Sequence, residues 1–279
     1  MRRPALRIDG TLALAAPAVV LLVAVFAVPI GLVLSISVTD PALGLGNYAL
    51  LVSGAGVRAV LGKTFQIAAI VTVVAVAFGY VFAFAMAHVD SSARTILLSC
   101  VLVPLWASVL IRAFAWVTLL RTNGLVNQAA LALGLLESPL PLMRNDLGVV
   151  IGMVHVMLPL ATLPIYSVMQ AIDRRLVPAA RSLGASEGRA LLAVFVPLSM
   201  PGVAAAAVLV FVTALGFFIT PAVLGGGKTV MAAEYINVQI TATLRWGLGA
   251  MMATVLLATV LCLFALGARL PAFRAPYRL

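Results

Sequence analysis

Six long apolar runs, separated by short polar segments, leave this chain few folds to choose from. They lie near residues 12–37, 64–87, 96–120, 147–170, 202–223 and 248–268. Each is long enough to cross a bilayer core of about 30 Å as a helix of roughly 20 residues. Only 9% of the 279 residues are charged and 64% are hydrophobic, whereas an ordinary soluble domain is about a quarter charged. No run alternates with a period of two, which argues against a β-barrel. The expected fold is all-α and integral to the membrane, one transmembrane domain over 1–279. Pro17, Pro29, Pro104, Pro159, Pro164 and Gly216 fall inside the runs, where neighbouring helices can satisfy the freed backbone groups. Cys100 and Cys262 also lie in apolar runs. They read as buried small hydrophobes rather than as a disulfide or a metal pair.

Charge then sets the orientation. An even number of spans puts both ends on one side. On that side lie Arg2, Arg3, Arg7, Arg94, Arg174, Arg175, Arg181, Arg189, Arg269, Arg274 and Arg278. Arg58, Lys63, Arg121, Arg144, Lys228 and Arg245 lie on the other. The positive-inside rule makes both termini cytoplasmic. The net charge of +10 follows from this topology, so no nucleic-acid partner is implied. The basic N-terminus followed by an apolar stretch resembles a secretion signal. A cleaved signal has an apolar core of only about 7–15 residues, and here the run continues from Thr11 to Val38. It is expected to remain as the first helix.

The cytoplasmic segment 171–201 carries the most specific pattern. It reads Pro178-Ala179-Ala180-Arg181-Ser182-Leu183-Gly184-Ala185, then Val194-Phe195-Val196-Pro197 after nine residues from Gly184. Pro178 suits the first turn of a helix, where its missing N–H has no partner to lose. Ala179 and Ala180 are strong helix formers whose short side chains let another surface approach closely. Gly184 can take positive φ and close the short helix with a left-handed cap. Ser186 is placed to cap a second helix through Leu191 and Leu192, with Pro197 and Pro201 expected to stop it.

This spacing resembles the ATPase-docking loop of ABC-importer permeases, whose pattern is Glu-Ala-Ala, three residues, Gly, nine residues, Ile-x-Leu-Pro. Ala179, Ala180, Gly184 and Pro197 match, Val194 and Val196 are conservative replacements, and Pro178 stands in place of the Glu. Val103 to Trp116, Asn123-Gly124-Leu125-Val126-Asn127, Val196 to Gly202 and Phe218 to Gly226 are similar to stretches of the polyamine-type permeases. The resemblance implies a six-helix type I importer architecture in the inner membrane. It also implies a second permease chain, two ATPase subunits and an external substrate-binding protein as partners. ATP and magnesium would be used by the ATPase, with no cofactor held by this chain. The implied cargo is a polyamine such as spermidine or putrescine. A transporter driven by an ion gradient is the alternative. It would favour inverted repeats and intramembrane acids, and no Asp or Glu lies inside a predicted span.

Other motifs carry less. Gly227-Lys228-Thr229 fits only a relaxed phosphate-loop pattern, and a membrane helix precedes it where a phosphate loop needs a strand. It reads instead as a glycine hinge. The segments 39–63, 121–146 and 224–247 are too short to hold a folded domain, and no catalytic set appears, so no enzyme is expected. Arg112 and His155 each fall eight residues from the outer end of a span, roughly 12 Å deep. A charged residue at that depth should face protein or water. Both are therefore candidates for the translocation path, with snorkelling of Arg112 and plain packing of His155 as the alternatives. Trp106, Trp116, Phe217 and Phe218 join them, because aromatic faces attract organic cations.

Overall fold

The computed structural model describes residues 10–267, all of them helical or irregular with no strand among them. Among the described residues, six stretches are long and apolar enough to cross a membrane: 15–39, 55–88, 109–132, 146–171, 187–215 and 246–267. The helices are α1 (Gly10–Thr39), α2 (Gly46–Ser53), α3 (Ala55–His88), α4 (Ser91–Trp106), α5 (Val109–Leu120), α6 (Leu125–Ala132) and α7 (Asp146–Ala171). They continue as α8 (Leu176–Ser182), α9 (Glu187–Ala190), a π turn (Leu191–Phe195), α10 (Val196–Leu215), α11 (Ile219–Leu224), α12 (Ala232–Thr241) and α13 (Trp246–Gly267).

The described residues divide into two compact units, one of 10–54 with 236–255, the other of 55–235 with 256–267. In the first unit a polar knot fixes the turn after α1. Asn47 donates through Nδ2 to the carbonyls of Ser37 (3.1 Å) and Asp40 (2.7 Å). The Gly247 N–H donates to the Asp40 carboxylate at 2.7 Å, which holds the start of α13 there. A Cβ at Gly247 would meet the Asp40 carbonyl oxygen at 2.0 Å, so only glycine fits.

The second unit is organised around α7, which packs between α3 and α10. Each of the three helices presents a stripe with a spacing of four. On α3 it runs Ile67, Val71, Ala75, Gly79, Ala83; on α7 Val149, Met153, Met157, Ala161, Ile165, Met169; on α10 Gly202, Ala206, Val210, Ala214. Every one of these residues is buried. Rows at i±4 are the ridges that interdigitate when helices pack. Small residues along them let backbones close in where lipid supplies no hydrophobic drive. A Cβ at Gly79 would lie 2.9 Å from Ala161 Cβ and 3.1 Å from the Thr162 nitrogen, and one at Gly202 would lie 3.0 Å from Ile165 Cα.

Several expected boundaries move. The run over 96–120 is two helices, because Ala107 takes extended backbone and Ser108 starts α5 as its N-cap. The fifth helix begins far before 202. The π turn carries α9 into α10, with Val196 N–H bonded to the Leu191 carbonyl, so Pro197 and Pro201 stop nothing. Pro197 falls at the second position of α10, directly after the π turn. That helix ends at Gly216, and the stretch to 223 re-forms as the separate α11. Cys100 and Cys262 are free and exposed, not buried, since each sits on an outward helix face. Of the glycines at 225–227, Gly225 is buried, while Gly226 and Gly227 are exposed and take positive φ of 57 and 76. A Cβ at Gly225 would meet two carbonyl oxygens at 2.6 Å, and one at Gly226 would strike the Arg144 side chain.

Candidate functional site

The segment after α7 builds a short exposed elbow. Pro178 is the third residue of α8, inside its first turn, and α8 has no buried residue. The helix closes as the glycine pattern requires. Gly184 sits at φ +92, and its N–H donates to the Arg181 carbonyl at 2.9 Å. The Ala185 N–H donates to the Ala180 carbonyl at 3.2 Å. These paired bonds form a Schellman cap. Ala179 is exposed, and Leu183 projects at 90% exposure beside it. Ser186 takes the N-cap position of α9 with extended backbone, although its side chain makes no capping bond.

The elbow is held firmly at its base. Phe195, in the π turn, is buried and meets Phe84 edge-on at 5.6 Å and His88 at 5.2 Å, both on α3. Tyr166 and Met169 of α7 complete that cluster. A cavity of about 550 Å³ lies between the elbow and these helix ends, lined by His88, Arg94, Asp173, Pro178, Arg181 and Glu187 among others. Arg94 braces the α3–α4 turn by donating to the carbonyls of Met86 (3.1 Å) and Val89 (3.2 Å). Phe195 and His88 were not singled out by sequence reasoning. An aromatic residue inside an apolar stretch carries no mark of its role there.

The candidates for a translocation path separate into two groups. Arg112, Trp116 and His155 come together. Trp116 Nε1 donates to His155 Nδ1 at 3.2 Å, and Arg112 stands one turn before Trp116 on α5. Phe217 packs against the same core as Trp116. Phe218 is the N-cap of α11 and is 39% exposed. Trp106 ends α4 at 91% exposure and takes no part in the cluster. Thr220, absent from the sequence candidates, is buried on α11.

A polar latch joins three segments at the other end of α7. Lys63 of α3 pairs with Asp146 Oδ2 at 2.7 Å, and Thr229 donates to Asp146 Oδ1 at 2.7 Å. The Ala232 N–H donates to Thr64 Oγ1 at 2.8 Å alongside. Thr229→Val is expected to lower stability by about 1 kcal/mol, because the carboxylate it serves is partly solvated. Thermal unfolding in detergent would read this, and an unchanged midpoint would show that the latch carries no stability. Nearby on α12, burial pushes the Glu234 carboxyl above its ordinary range.

Apolar spans, a core of closely packed membrane helices and an exposed, firmly based elbow define a membrane-embedded permease subunit. A family model described as binding-protein-dependent transport system inner membrane component matches residues 75–270, and the chain belongs to that family. It is a multi-pass inner-membrane permease subunit of an ABC importer, and the gradient-driven alternative is not favoured. The spermidine/putrescine transport system permease protein PotB of Haemophilus influenzae is 32% identical over 208 residues, covering 74% of this chain and 73% of that protein. PotB of Escherichia coli is 35% identical over 191 residues, covering 68% and 70%. A bacterial alginate ABC transporter, solved with a periplasmic protein bound to an alginate pentasaccharide, shares the fold. It has a TM-score of 0.78 at 15% identity over 96% of this chain and 97% of that one.

Proposed function

We propose that this chain forms the membrane pathway of an ATP-driven importer for a polyamine such as spermidine or putrescine. It pairs with a second permease chain, and two ATPase subunits dock on the elbow from the cytoplasm, where both termini lie. An external binding protein delivers the solute. ATP and magnesium act in the ATPase subunits, and this chain contributes no catalytic group. Closure of the ATPases on ATP moves the elbow, and the helices rearrange between inward- and outward-open packings. The observation that carries this reading is the elbow itself. A seven-residue helix with no buried residue and a 90% exposed Leu183 is rooted through Phe195 in the ends of α3 and α7. A surface element of that kind receives force from a partner and delivers it to the bundle. The cargo follows from the kinship with the spermidine/putrescine permeases.

The test is reconstitution of this chain with a candidate ATPase, a second permease and a binding protein. Loading the binding protein with spermidine or putrescine should stimulate ATP hydrolysis and drive uptake into liposomes. Uptake that continues on a proton gradient with ATP depleted would overturn the mechanism. Stimulation by anionic solutes but not by polyamines would overturn the cargo.

A further inference from the structure

The junction of α5, α7 and α11 has the chemistry of an acceptor-seeking site. Arg112 is 8% exposed, and its Nε and Nη1 are buried with no hydrogen-bond partner. Thr220, 1% exposed on α11, also has a buried hydroxyl without a partner. The helix α11 packs on both α5 and α7. Contact is closest at Gly152, where a Cβ would meet Thr220 Cγ2 at 2.7 Å and Leu224 Cδ1 at 2.5 Å. His155 lies one turn from Gly152 on α7, and Trp116 one turn from Arg112 on α5. The indole N–H of Trp116 occupies Nδ1 of His155, so the neutral imidazole carries its proton on Nε2. Arg112, Thr220 and His155 thus stand on three helices that pack together at this junction, each with a donor to offer.

A guanidinium with two buried nitrogens and no acceptor for either is costly. An ammonium ion would be repelled by Arg112 and would meet mostly donors. We infer that this junction binds a small monovalent anion, a carboxylate group or a halide, through Arg112 and Thr220. The inference rests on this chain's own side chains and stands whichever solute the transporter carries. An anion here neutralises Arg112 where α11 is seated against α5 and α7, and so its occupancy bears on how α11 packs.

Trp116 provides the readout, because the chain has three tryptophans and the other two, Trp106 and Trp246, are exposed. The full chain carrying Trp106→Phe and Trp246→Phe, in lipid nanodiscs, would be titrated with bromide, with a bulky sulfonate holding ionic strength constant. Quenching of Trp116 should saturate. Arg112→Gln should raise the midpoint at least tenfold, Thr220→Val about threefold, and Arg112→Lys should retain saturation. Competition by acetate more tightly than by chloride would assign the site to a solute carboxylate, and the reverse order to a resident halide. Quenching that rises linearly with bromide, or is indifferent to Arg112→Gln, would overturn the inference. If Arg112→Gln does not fold, Thr220→Val decides, and an unchanged midpoint overturns it. Displacement of bromide by spermidine would overturn it too. So would loss of saturation once the other subunits are assembled, since a partner's own carboxylate then holds Arg112.

Discussion

Leu183→Asp is expected to reduce association with the ATPase at least tenfold, and to abolish the stimulation of ATP hydrolysis by loaded binding protein. The fold should be indifferent to the change. Leu183 is 90% exposed and α8 buries nothing, and substitutions at such sites usually change stability by less than about 0.5 kcal/mol. A partner surface that receives Leu183 must desolvate the new carboxylate, and a lost anchor of this kind typically costs about 2 kcal/mol or more. Co-purification from membranes and thermal unfolding of the same sample separate the two effects. Normal association with normal coupling would remove the elbow from the interface. Gly184→Ala is the milder companion. A Cβ there meets nothing within 4 Å, but φ +92 forces an L-residue into a conformation costing about 1–2 kcal/mol. The cap should loosen, and coupling should weaken less than with Leu183→Asp.

The largest effect on the fold is expected from Gly79→Leu. Its first carbon alone would stand 2.9 Å from Ala161 Cβ and 3.1 Å from backbone atoms of α7. Backbone cannot swing aside as a flexible side chain can. Overpacking a filled core costs about 1–3 kcal/mol, and here the intruding group must also separate α3 from α7. The variant should insert into the membrane, since leucine makes the span more apolar, yet give far less monodisperse protein and a markedly lower unfolding midpoint. Gly56→Leu is the control on the same helix, because a Cβ at Gly56 meets nothing within 4 Å. Equal behaviour of the two variants would show that the close approach at Gly79 contributes nothing.

The number of spans and the helical class were legible because hydropathy alone decides them. Arg112 and His155 stood out because ionisable side chains are rare at such depth, and the structure joins His155 to Trp116, one turn from Arg112 on α5. Trp106 does not join them, because the chain turns at Ala107 and Ser108 between α4 and α5. Thr220 was invisible. A threonine among apolar residues normally bonds its own helix, and nothing in the sequence reveals that this one does not. The four-residue stripes of α3, α7 and α10 were present in the sequence yet hard to see, since these helices are apolar on every side. Only the small residues Ala75, Gly79, Ala83, Ala161, Gly202, Ala206 and Ala214 mark the packed face. The π turn could not be read at all. Leu191-Leu192-Ala193-Val194-Phe195 has the composition of an ordinary helix, and the two prolines after it suggested a stop.

That π turn also fixes a bearing. Widening one turn inserts a single residue into the thread of the helix, and each residue is worth about 100° of rotation. The faces of α9 and α10 are therefore out of phase by about that angle, although the backbone runs unbroken from 187 to 215. Deleting one residue between 191 and 195 would restore the phase and swing the α8 elbow around the helix axis without shortening it appreciably. The direction in which the elbow faces around the helix axis is thus set by residue count. The stretch should accept changes of side chain far more readily than a change of length.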